Sequence, residues 1–143
     1  MKKIISLLLV LSLLLPCVSL FASAENLDSD RVPTVSPRYA ALTACRADLD
    51  PSGGGTYTFS GSARANSNVK ISITVTLQRA NPSASSGWDP YATLTDSDTY
   101  SAACSGQRYL YPGTYRTETA VSVYSASGSF IESVTIHSSE ITV

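Results

Sequence analysis

Val69-Lys70-Ile71-Ser72-Ile73-Thr74-Val75-Thr76-Leu77-Gln78 alternates an apolar side chain with a polar one for ten residues. In an extended chain, successive side chains point to opposite faces. This run therefore reads as a β-strand with Val69, Ile71, Ile73, Val75 and Leu77 in a core and Lys70, Ser72, Thr74, Thr76 and Gln78 in solvent. The same period continues on both sides. Thr56 to Arg64 sets Tyr57, Phe59, Gly61 and Ala63 against Thr58, Ser60, Ser62 and Arg64. Thr114 to Tyr124 sets Tyr115, Thr117, Thr119, Val121 and Val123 against Thr114, Arg116, Glu118, Ala120 and Ser122. Ser125 to Ser129, with Gly128, turns that strand into a hairpin with Phe130 to His137. Tyr39 to Leu49 is extended and rich in small residues. Asp50-Pro51-Ser52-Gly53-Gly54-Gly55 is a turn by composition, and so is Asn81 to Gly87. Trp88 to Thr95 and Thr99 to Cys104 complete the set as two shorter strands. About seven strands with turns between them, and no helical period, predict an all-β fold, a single antiparallel β-sandwich over residues 38–143.

The N-terminal end has a different character. Met1, Lys2 and Lys3 precede the apolar run Ile4 to Leu15, Pro16 breaks it, and Ala22-Ser23-Ala24 supplies small residues at −3 and −1 of a cleavage site. Residues 1–24 are therefore expected to be a secretory signal peptide. The alternative, lipid attachment at Cys17, is opposed by Pro16, where a lipobox needs a small residue. Residues 25–37, with Glu25, Asp28, Asp30, Pro33 and Pro37, are expected to form a flexible arm; packed instead as an added strand, they would open a route to self-association through a sheet edge. Removing 24 of 143 residues leaves 119, enough for one domain. Lys2 and Lys3 leave with the leader, so the net charge moves from −1 to −3. That balance argues against nucleic acid as a partner. No second apolar stretch reaches spanning length, so the expectation is a secreted, extracellular protein with no membrane anchor after cleavage.

Cleavage would also leave an even cysteine count. Cys45 and Cys104 are then the only intramolecular pair in a chain bound for a non-reducing space, and a disulfide between them is expected. A bridge closing a loop of about 60 residues would contribute on the order of 4 kcal/mol.

Leu110-Tyr111-Pro112-Gly113-Thr114-Tyr115, followed by the alternating run to Val123, resembles the penultimate strand of fibronectin type III and related immunoglobulin-like domains. The resemblance implies that Tyr115 is the corner tyrosine, its hydroxyl bonded back to the backbone. Residues 39–143 also resemble a group of small secreted proteins of Gram-positive bacteria, through Leu77-Gln78-Arg79, a following loop with Trp88, and Gly113 to Arg116. That group brings no activity to transfer.

Residues suited to catalysis are sparse. His137 is the lone histidine, far in sequence from any recognisable nucleophile. Asp89, Asp96, Asp98, Glu118 and Glu132 fall in turns or on outward strand positions, where solvated charge is expected. Asp48-x-Asp50-x-Ser52-Gly53 matches the opening of a calcium loop, but the twelfth position is Phe59 and the residues also suit a plain turn. No cofactor is implied. The remaining candidates are aromatic: Trp88 and Tyr91 in one loop and strand start, and Arg108, Tyr109 and Tyr111 before the corner, suited to stacking on a sugar or anchoring a protein. The reading is a non-catalytic binding or interaction module whose partner is an extracellular protein or a cell-wall glycan. The alternatives are a secreted toxin or antagonist of other bacteria, and a hydrolase whose site is dispersed in sequence.

Overall fold

A computed structural model describes residues 40–66 and 68–143. The expected leader and arm lie outside the described residues. The chain forms β1 (Leu42–Gly53), β2 (Thr56–Ala65), β3 (Lys70–Ala80), β4 (Trp88–Thr99), β5 (Ser101–Tyr109), β6 (Thr114–Tyr124), β7 (Phe130–His137) and the short β8 (Ile141–Thr142). They build two antiparallel sheets. One has the order β1-β2-β5; the other has β4-β3-β6-β7, with β8 paired to the start of β6. This is the expected all-β sandwich of the immunoglobulin and fibronectin type III kind, with one short strand more than the seven anticipated.

The core lies between the sheets and is made by the alternation read from the sequence. Phe59, Ile71, Ile73, Val75, Leu77, Leu110, Tyr115, Val121 and Val123 are buried. Burying an aliphatic or aromatic side chain of this size contributes about 1.5–3 kcal/mol each, which is what holds the sheets face to face. Two inward positions are glycines with a packing role. A Cβ on Gly61 would overlap the side chains of Thr119 and Val75 from the facing sheet, and one on Gly106 would press on Leu94 and Phe59.

Two stretches differ from the sequence reading. β1 continues through Asp50, Pro51, Ser52 and Gly53, and the turn is confined to Gly54 and Gly55, which like Gly53 are at positive φ. Pro51 is tolerated because β1 is an edge strand and its missing N–H breaks no ladder on the open side. The segment expected as two short strands forms β4 and β5 with only Tyr100 between them. Tyr100, at φ 68°, is the one non-glycine residue at positive φ among the described residues, and there the chain crosses from one sheet to the other. Its amide donates to the Val69 carbonyl and its carbonyl accepts from the Ala65 amide, so the corner is hydrogen-bonded without a longer loop.

The expected disulfide is not formed: among the described residues, Cys45 and Cys104 are free thiols. Cys45 on β1 pairs with Ala63 of β2, and Cys104 on β5 pairs with Gly61 of the same strand. Two strand spacings, about 9.6 Å, therefore separate them, beyond the roughly 7 Å between Cα atoms that a disulfide spans.

Candidate functional site

The tyrosine corner is present. Tyr115, fully buried at the start of β6, donates its hydroxyl to the Tyr111 carbonyl at 3.0 Å. Arg79 donates to the Pro112 carbonyl at 2.9 Å and lies over the Tyr115 ring, so the segment from Tyr109 to Gly113 is pinned from two sides. Buried Leu110 holds its middle down. The side chains on either side of Leu110 are thereby turned outward: Tyr109 is 56% exposed and Tyr111 61%, and their rings meet edge to face with centroids 5.3 Å apart. Tyr109 also covers Gly55, where a Cβ would collide with its ring.

The other expected members of an aromatic cluster are distributed elsewhere. Tyr91 sits at the bulge where β4 slips against Leu77 and Gln78 of β3, and its ring packs edge-on against Tyr115 at the same end of the sandwich. Arg108 alternates with Tyr109 along β5 and so leaves from the opposite face, where it donates to the Gln107 carbonyl. Trp88, also on β4, opposes Ala80 of β3 and packs on the solvent face of the β4-β3-β6-β7 sheet, under Arg116 at 4.1 Å. Arg116 in turn donates to Gln78 Oε1 at 2.8 Å. The two groups read in sequence are thus regrouped in space: Tyr91 packs at the corner on Tyr115, near the Tyr109–Tyr111 pair, while Trp88 forms a stack with Arg116 on the sheet.

Most of the residues considered for catalysis or metal binding have structural partners. His137 Nε2 lies 3.1 Å from Glu118 Oε2, because the two face each other across β6 and β7. Asp96 accepts from the Ala103 amide, Asp98 from the Thr99 amide, and Asp89 from Asn81 Nδ2. Glu132 corrects the expectation of solvated charge. Its carboxylate accepts from the amides of Ala40, Ala41 and Leu42 at 2.9–3.0 Å, tying β7 to the entry of β1 in the other sheet. Burial pushes this carboxyl up, but the three amides outweigh burial and hold it below its ordinary value. Asp48, Asp50 and Ser52 lie along one face of an extended strand rather than around a loop, and Arg46 approaches Asp48 at 3.6 Å. Among the described residues, no group of three or more His, Cys, Asp or Glu is placed to hold a metal ion. Burial raises the Cys45 thiol to about 11, against a smaller lowering by the Arg46 amide. Cys104 is raised by burial and then by the charge of Asp96.

One arrangement had no counterpart in the sequence reading. On the solvent face of the β4-β3-β6-β7 sheet, Ser97, Ser72, Ser122 and Ser133 stand in one register row across the four strands. The next row is Thr95, Thr74, Ala120 and Thr135, and the one after it begins with Thr93 and Thr76, whose hydroxyls are 3.4 Å apart. Each strand alone shows only polar alternation; the rows exist because three registers coincide.

No family model matches the chain, and no curated protein matches it. Among solved structures, the chain is similar to one described as the solution structure of R. palustris CsgH, at 16% identity and a TM-score of 0.38, over 68% of this chain and 89% of that one.

Proposed function

We propose that the chain is a secreted, non-catalytic interaction module that engages an extracellular partner through the Tyr109–Tyr111 pair. The observation that carries this reading is the contrast between exposure and rigidity at the corner. Two large aromatic rings are more than half exposed, yet the backbone beneath them is fixed by Leu110, by the Tyr115 hydroxyl and by Arg79. Ordering such groups on binding costs little conformational entropy because they are already ordered, and tyrosines with an apolar ring and a polar tip are the side chains that most often anchor protein interfaces. The leader-like residues 1–24 support export as the setting.

The test is a pull-down from extracellular protein and from cell-wall polysaccharide of the same and neighbouring bacteria, using the protein and its Tyr109→Ala/Tyr111→Ala variant. A retained partner that is lost with the double variant, while the thermal melt is preserved, supports the reading. A partner retained equally by both proteins rejects the tyrosine pair as the contact, and retention of nothing rejects the module.

A further inference from the structure

We propose that the solvent face of the β4-β3-β6-β7 sheet is a binding track for an uncharged polyhydroxylated chain, a neutral glycan, running along β3 between aromatic ends. This site is separate from the tyrosine pair and goes beyond the reading given above.

The middle of the track is a lattice of hydroxyls. The serine row, the threonine row and the Thr93–Thr76 pair repeat about every 6.8 Å along the strands and about every 4.8 Å across them. Among the described residues, only Thr76 and Thr93 of these side chains bond to each other, so the other hydroxyls present free donor and acceptor capacity. Each end is closed by an aromatic group on the same face. At one end Trp88 stacks under Arg116, beside Gln78. At the other, Tyr124 and Phe130 meet edge to face at 5.9 Å. Tyr124 there lines a shallow hollow of about 260 Å³ together with Lys70, Ser72, Ser97 and Gly128. From Lys70 to Ala80, β3 spans about 33 Å at the usual rise per residue.

The chemistry of the face selects the occupant. Serine and threonine hydroxyls donate and accept at once, as sugar hydroxyls do, so the two lattices can satisfy each other whatever the rotor positions. An apolar protein surface laid here would strip water from these hydroxyls without replacing their hydrogen bonds. A nucleic acid would need a row of cations, and the track carries only Lys70 and Arg116, at opposite ends, the latter already spent on Gln78 and Trp88. Glu118 and His137, which continue the Thr93–Thr76 row, are paired with each other. A twist of roughly 20–25° per strand rotates the rows by some 60–75° across the sheet, so a flat crystalline surface meets only part of the lattice, whereas one flexible chain can follow it.

The experiment is an NMR titration of the protein with cellohexaose and with the hexamer of N-acetylglucosamine, repeated with the corresponding dimers and with three variants. The expected result is saturable shifts at Ser72, Thr74, Ser97 and Ser122 with at least one hexamer, binding at least tenfold weaker for its dimer, and a loss of at least tenfold in Thr74→Ala/Thr95→Ala and in Trp88→Ala. Tyr109→Ala/Tyr111→Ala should bind the hexamer as the parent does, which keeps the outcome distinct from that of the tyrosine pair. No saturable shift with either hexamer overturns the track, as do shifts on another face or equal binding by the folded row variant. Concentration-dependent sedimentation abolished by the row substitutions would identify the face as a contact between two copies of the chain instead.

Discussion

Gly61 shows how one missing side chain supports the contact between sheets. Its inward position is filled from across the sandwich by Thr119 and Val75, so Gly61→Ala should cost about 1–3 kcal/mol in chemical denaturation, the usual price of overpacking. Thr117 and Thr119 are fully buried on β6, and their hydroxyls have no hydrogen-bond partner among the described residues. Thr117→Val removes an unpartnered buried hydroxyl, and the denaturation midpoint should rise, by about 1 kcal/mol in stability. Tyr115→Phe should move it the other way by about 1–2 kcal/mol, because the Tyr111 carbonyl loses its donor. The corner tyrosine was legible through the resemblance of Leu110 to Tyr115 to the penultimate strand of fibronectin type III domains, which implied the bond that Tyr115 makes. The partnerless threonines were not: alternation puts Thr117 and Thr119 on the inner face but says nothing of what they meet there.

At the level of whole strands, two connections carry the argument. The first is the join of β7 to the entry of β1 through Glu132. Its folded carboxyl titrates below the ordinary glutamate value of about 4.3, so its contribution is complete above that value and is lost as pH falls through the lower folded one. Glu132→Gln should therefore lower the melting temperature at neutral pH and flatten its fall in that acid range; an unchanged acid limb would show that the three amide bonds carry no linkage. The second is the one-residue corner at Tyr100. A β-branched residue there pays the full strain of positive φ, so Tyr100→Val should lose about 1–2 kcal/mol while Tyr100→Gly stays within about 1 kcal/mol of the parent. The sequence reading ended one strand at Thr95 and began the next at Thr99, leaving Asp96, Ser97 and Asp98 between them. In the fold these residues complete β4, their side chains satisfied by solvent and by the Thr99 and Ala103 amides.

For the molecule as a whole, stability rests on the sandwich core and not on a covalent bridge. Adding a reductant should leave the melting temperature unchanged, and a thiol-specific mass tag applied in denaturant without reductant should label both Cys45 and Cys104. In the folded protein Cys104, only partly buried, should label before Cys45, whose thiol is buried and raised to about 11. Protection of both sites without reductant would mean that they pair after all. By itself the sequence determined that the seven longer strands exist, which way their side chains face, and that the chain turns at the glycines before β2 and at Gly128. Each of these is local: a period of two, a glycine or a proline is read within a few residues. Only the tertiary structure decided which side chains meet across strands. The serine row, the His137–Glu118 pair, the Glu132 join, the separation of Trp88 from Tyr109 and of Cys45 from Cys104 all depend on sheet order and register. Those are set by bulges and by core packing between segments distant in the chain, and a shift of one residue would turn each of these side chains to the other face.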